Sequence, residues 1–262
     1  MSALAVPLRR PARVPWPVLG VVGAGVLWQV AAVLTDNQAT LPTLSSVLGE
    51  LVALVQDPEL RDHVSSTLGR VAVGFGSGAL LGLVLGSLIG AVGPVRRVLN
   101  PYLNFLRAVA PIAWIVPATI WLGVGDGSIL FVVVYAAIWP VAVNTIAGMA
   151  SVAPDRVRMG RMFGLSPFGV LWRIRVPNAV PVALTGTRLS LGLSFMAAVG
   201  AEMIIGRDGL GYLVYDARSY FDTPLMFAGI LLLGGVGYLG DLLFASARGK
   251  VFARFYAGRS DA

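Results

Sequence analysis

The chain has 262 residues, 56% of them hydrophobic and only 13% charged, with no cysteine, one histidine and a net charge of +7. Soluble domains carry about 25% charged residues, so this composition, with a mean hydropathy of +0.79, describes a polytopic membrane protein. It excludes a disulfide framework, a thiolate metal site, a cysteine nucleophile and a histidine cluster.

Six segments approach the length of about 20 apolar residues that a span requires: 16–34, 68–91, 102–122, 129–149, 182–204 and 223–245. The first follows Arg9, Arg10 and Arg13 and is too long for the core of a cleaved signal, so it reads as a signal-anchor span. Arginines and lysine alternate with the spans instead of collecting on one domain. Arg96, Arg97, the 150–181 loop and Arg248, Lys250, Arg254 and Arg259 fall on one side, which speaks against a nucleic-acid surface and for a positive-inside pattern. The expected organisation is an all-α membrane domain over 16–245, flanked by cytoplasmic tails at 1–15 and 246–262, with external segments near 35–66, 123–128 and 205–222. The lone His63 reads as a polar residue at a membrane boundary.

Between the first two spans, Leu44, Val47, Leu48, Leu51, Leu54 and Val55 recur at helical spacing before Asp57-Pro58, which predicts an amphipathic surface helix. In the second span Gly74, Gly78, Gly82, Gly86 and Gly90 repeat every fourth residue and form one bare stripe. Small residues replace hydrophobic drive in lipid by letting backbones approach, so the stripe predicts a tight helix interface, with a pore lining as the alternative. The third span contains Pro111 and Pro117, with Pro101 at its edge, and the fourth contains Pro140; interior prolines predict kinks. Kinks suit either a moving gate or a static bundle.

The longest polar interruption of the second half is 150–181. It holds Arg156, Arg158, Arg161, Arg173 and Arg175 against one Asp155. Pro154 suits the first position of a short helix, Gly164 its left-handed end, and Ser166-Pro167 the start of another. On the first helix Met159, Gly160 and Phe163 are expected on one face, with Arg158 and Arg161 on the other.

The spacing Gly164-x9-Ile174-x-Val176-Pro177 resembles the cytoplasmic coupling loop of bacterial ATP-binding-cassette importer permeases, E-A-A-x3-G-x9-I-x-L-P. Val176 stands for the leucine, and Arg158-Met159-Gly160 for the E-A-A triplet. Leu106–Ser128 and Ala201–Arg218 are similar to the taurine, aliphatic-sulfonate and nitrate branch, and the likeness extends over about 41–244. The resemblance implies a six-span type I importer subunit in the bacterial inner membrane. It also implies a second copy of the permease, two cytoplasmic ATPase subunits that bring ATP and Mg, and an external solute-binding protein. In that reading Arg158, Met159, Gly160, Arg161, Phe163, Gly164, Ile174, Val176 and Pro177 meet the ATPase subunit. A basic loop lying on anionic headgroups is the alternative without the motif.

The sequence contains no G-x4-G-K-[ST] phosphate loop, and Lys250 is its only lysine. An ATP-driven transporter built on this chain must therefore take its energy from another subunit. Ionisable residues inside spans mark functional candidates: Arg107, Arg188, Glu202 and Asp241, of which the first three are taken for a translocation path; snorkelling is the bland account of Arg107, Arg188 and Asp241. Glu202 is placed to pair with Arg207. The resemblance points to a small anion of the sulfonate, taurine or nitrate type. Thiamine-precursor-like heterocycles and an ATP-independent secondary transporter are the alternatives.

Overall fold

The computed structural model describes residues 16–256, and side chains from 18 to 246. The tail arginines and Lys250 lie outside the described side chains. The described residues form helices and turns. In chain order these are α1 (Trp16–Thr35), α2 (Leu44–Gln56), α3 (Glu59–Ala91), α4 (Gly93–Ala108), a 3-10 turn (Pro111–Trp114), α5 (Ile115–Leu122), α6 (Asp126–Ala150), α7 (Pro154–Met162), α8 (Pro167–Val170), a π-helical turn (Leu171–Arg175), α9 (Val176–Ile205), α10 (Leu210–Ser219) and α11 (Thr223–Tyr256).

The centre of the bundle is α6, held between α3 and α9. The glycine stripe of α3 lies on α6 over its whole length. A Cβ on Gly74 or Gly78 would come within 2.5 Å of Val133 or Ala137, and one on Gly82 or Gly86 within 2.6–2.7 Å of the Ile138 or Ala142 carbonyl. Gly90 meets Met149. Partners on α6 advance in the same direction as the glycines, so the two helices run parallel. The packing prediction holds. The opposite flank of α6 uses the same device against α9 in antiparallel sense. Gly148 abuts Ala179, Gly186 abuts Pro140 and Asn144, and the Ser190 hydroxyl donates to the Ala137 carbonyl at 2.8 Å. Small residues therefore bring three backbones together where lipid supplies no apolar drive.

Five helical segments are long and apolar enough to cross a membrane: α1, α3, α6, the continuous α8–α9 helix, and α11. The third predicted span, 102–122, is not one helix. It is divided between α4 and the 3-10 turn with α5, two pieces bent by 85°, so a sixth crossing exists only as a broken one. The break falls at Val109 and Ala110, both extended, just before Pro111. A proline disfavours helical backbone in the residue before it, which makes Pro111 the deciding proline; Pro101 and Pro140 sit within intact helices. The surface helix α2 forms as expected. Thr43 caps it by accepting from the Ser46 N–H at 3.3 Å, and Leu54 joins Leu60, Leu210 and Leu213 in a small core that binds α2, α3 and α10. By contrast, α1 and α11 bury little of their surface within the chain.

Candidate functional site

The loop between α6 and α9 is built as its residues predict, up to one point. Pro154 opens α7. Gly164 sits at φ +81°, its N–H donates to the Arg161 carbonyl and that of Leu165 to the Gly160 carbonyl, both at 3.0 Å. These two bonds define a Schellman end, which satisfies carbonyls that α7 would leave orphaned. Ser166 then caps α8, accepting from the Gly169 N–H at 3.2 Å. The second helix does not stop at the prolines. It passes through the π turn straight into α9, with Pro177 in the first turn and Pro181 inside.

One sequence expectation is corrected here. Gly160 is buried, and a Cβ on it would stand 2.6 Å from Ile174 Cδ1. It faces the loop's own interior, where Val170 is also buried, and not the exposed face. That face carries Met159, Met162 (85% exposed) and Phe163 (86% exposed), and Phe168 and Trp172 are exposed on the helix that follows. Arg156, Arg158, Arg161 and Arg173 are exposed around it. The Arg158–Asp155 pair spans 3.4 Å in full solvent and adds little to stability. The loop is tied to the bundle by Arg175, which donates to the Ala91 carbonyl at the end of α3 at 2.6 Å, and by Asn178, which donates to the Gly148 carbonyl at 3.0 Å.

At the other end of α3 lies a charge cluster that the sequence reading missed. Arg70, 8% exposed, donates Nη1 to Glu202 at 2.9 Å and to the Asp208 carbonyl at 3.0 Å. Its Nε and Nη2 reach Asp126 at 2.8 and 2.6 Å, and Nη2 also reaches the Asp208 carboxylate. All five guanidinium donors are used. Glu202, 1% exposed, therefore pairs with Arg70 and not with Arg207, and its enclosed carboxylate lines no path. Around Asp208, desolvation pushes the carboxyl up, but hydrogen bonds from Ser66 and Arg70 with the charge of Arg70 outweigh it and hold it below its ordinary value of 3.8. His63 accepts the Gly209 N–H through Nδ1 at 3.0 Å and stacks on Tyr212. It is a structural acceptor in this end of the bundle.

Residues 78–250 match the family described as binding-protein-dependent transport system inner membrane component. The chain belongs to this family. Among its curated relatives, the taurine transport system permease protein TauC of Escherichia coli is 32% identical over 83% of this chain and 81% of its own length. The nitrate import permease protein NrtB of Synechocystis sp. is 34% identical, with 87% and 86% covered. The bicarbonate transport system permease protein CmpB of the same organism is 29% identical, with 86% and 84% covered. Among solved structures, the inward-facing MetNI methionine ABC transporter shares the fold at a TM-score of 0.63 and 18% identity, covering 75% of this chain and 95% of that one.

The remaining residues singled out for this permease lie apart from one another. Arg107 ends α4 and is exposed, with no ion-pair partner among the described residues. Arg188, midway along α9, forms a two-pronged pair with Asp241 of α11, at 2.9 Å from Nε and 2.6 Å from Nη2. The pair neutralises Arg188 locally. Asp241 also lines an apolar groove of about 1010 Å³ between α3, α9 and α11, together with Phe75, Leu191, Phe195 and Phe244 among others.

Proposed function

We propose that this permease imports a small oxyanion, works as a pair of identical copies, and is driven through α7 by two cytoplasmic ATPase subunits that bind ATP and Mg. An external solute-binding protein delivers the cargo to the end that carries α10. The observation that carries this reading is the exposed face of α7. Three large apolar side chains, Met159, Met162 and Phe163, stand in water on a helix that ends in a Schellman turn, within a loop that Arg175 and Asn178 tie to α3 and α6. Burying such anchors in a partner's groove gives affinity, and the surrounding arginines give orientation. The loop motif supports the same reading, with Arg158, Met159, Arg161, Phe163 and Gly164 forming or shaping the contact, while Gly160, Ile174 and Val176 lie in the support behind it and Pro177 opens the helix that follows.

In this reading the arginine-rich loop is cytoplasmic and the Arg70 cluster external, in accord with the positive-inside pattern. The names of the relatives support an oxyanion as cargo, since they transport taurine, nitrate or bicarbonate. Of the two candidate cargo residues, Arg107 keeps the stronger claim, because Arg188 is neutralised by Asp241. The test is reconstitution of the chain with the ATPase subunit and binding protein encoded beside it, followed by uptake of taurine, nitrate and bicarbonate. ATP-dependent accumulation of one of them is expected. Uptake that proceeds without the ATPase subunit would replace this reading with a secondary transporter.

A further inference from the structure

The segment Ala201–Arg218 belongs to the end assigned above to the solute-binding protein, and it holds Glu202, a buried carboxylate that accepts from several donors. Glu202 lies in the last turn of α9. Oε1 accepts from Arg70, Oε2 accepts from the Gly211 N–H at 3.0 Å, and the Thr67 hydroxyl donates to the same carboxylate at 2.8 Å. The Thr67 oxygen in turn accepts the Leu210 N–H at 2.8 Å. Both bonds fall on the first turn of α10, so the start of that helix is fastened to α3 and α9 through one buried carboxylate. Three glycines close the backbone around it. Gly209, at φ +108°, leaves the space that a Cβ would share with the Glu202 carboxyl, Gly206 packs on the Glu202 backbone, and Gly211 packs on the Val199 carbonyl. Through Arg70 the same carboxylate is joined to Asp126 at the start of α6 and to Asp208 in the loop before α10.

A buried ion pair gives little net stability compared with apolar packing of the same volume, so its cost points to geometry as its use. The cluster has two parts. Glu202 is fully enclosed, whereas the Asp126 side chain is 70% exposed and that of Asp208 45% exposed. The outer carboxylates can exchange Arg70 for water, and the inner one cannot. The outward surface beyond this hub carries Tyr215, Arg218, Tyr220 and Phe221. Phe221 is 88% exposed and held at φ +58°, a backbone state costly for a bulky residue.

We infer that Glu202 and Arg70 are positioning residues for transport: they make α10 and the outer ends of α3, α6 and α9 move as one unit, so that an event at the surface of α10 reaches the bundle. This rests on the importer reading, in which that surface faces the solute-binding protein. Lysine has three donors in place of five and cannot hold both outer carboxylates and Glu202 together.

The experiment uses the full complex in proteoliposomes, with hydrolysis measured without and with solute-loaded binding protein. Arg70→Lys and Glu202→Gln should assemble with the ATPase subunit and keep basal hydrolysis. Stimulation by the loaded binding protein should fall by about tenfold or more. Asp126→Asn, a change at an exposed side chain that leaves the core intact, should lose a smaller part of the stimulation. Should the two core variants fail to fold, Asp126→Asn and Asp208→Asn carry the test. Full stimulation in the variants that fold overturns the inference, and so does an equal loss of basal and stimulated rates, which marks a purely structural hub. Failure of the unmodified chain to assemble with any ATPase subunit would instead defeat the importer reading.

Discussion

Single side chains in the loop separate support from contact. Gly160→Val would drive a branched side chain into Ile174, and Gly164→Val would place one at φ +81°, at a cost of about 1–2 kcal/mol for the left-handed backbone alone. Both should loosen the loop, read as faster proteolysis between α6 and α9. Phe163→Ala removes only an exposed ring. It should leave the loop resistant and weaken retention of the ATPase subunit by about tenfold or more, as loss of a central aromatic anchor does. Equal retention in a pull-down would remove Phe163 from the interface. Asp208 gives a pH prediction at the same scale. Its carboxyl is held below 3.8 in the folded chain, so its contribution to stability is complete above that value and lost as pH falls through the lower, folded one. Asp208→Asn should lower the melting temperature at neutral pH and flatten its acid decline, measured in detergent across about pH 3 to 7.

At the scale of elements, the glycines of α3 divide into two sets that a melting series can distinguish. Gly82 touches the Ile138 carbonyl and Val141, so Gly82→Ala should already lower the melting temperature and Gly82→Leu should prevent folding. Gly69 and Gly76 on the same helix have open space at the Cβ position, and alanine there should be neutral or stabilising by up to about 1 kcal/mol through helix propensity. Uniform losses at all three sites would contradict the packing. This stripe was legible in the sequence because a period of four within an apolar run long enough to span is one face of a helix, and the caps Pro154, Gly164 and Ser166 were legible because their chemistry is local. Gly160 was misread because its neighbour Ile174 lies beyond the turn and outside the periodicity of α7. Arg70 was missed because it sits within an apolar run and all its ionic partners lie more than fifty positions along the chain. The break at Val109 and Ala110 was hidden among three prolines, of which tertiary packing let two remain in helix.

Across the whole molecule, transport should depend on charge where charge is unpaired. Arg107→Gln is expected to slow anion uptake several-fold, by about 3–10-fold, with affinity for the binding protein unchanged, and Arg107→Lys should restore most of the rate. Normal flux through Arg107→Gln would remove the positive-exit idea. Arg188→Gln breaks the two-pronged bridge from α9 to α11, so its expected effect is a lower melting temperature as well as a slower rate. The π turn at Leu171–Arg175 has a consequence for how force is aimed. An α-helix turns about 100° per residue, and a π turn accommodates one residue more than an α turn. Residues 171–175 thus take up one residue more than an α turn of the same rotation, and keep the loop in angular step with the long helix behind it. Deleting one residue there would let the helix run on regularly with α7 at nearly the same angle, whereas adding one residue to the regular helix between Arg175 and Val176 would swing α7 by about 100° around the axis of α9. The bundle would insert and fold as before, with Phe163 pointing away from its partner, like a key cut correctly but fixed to its shaft at the wrong rotation.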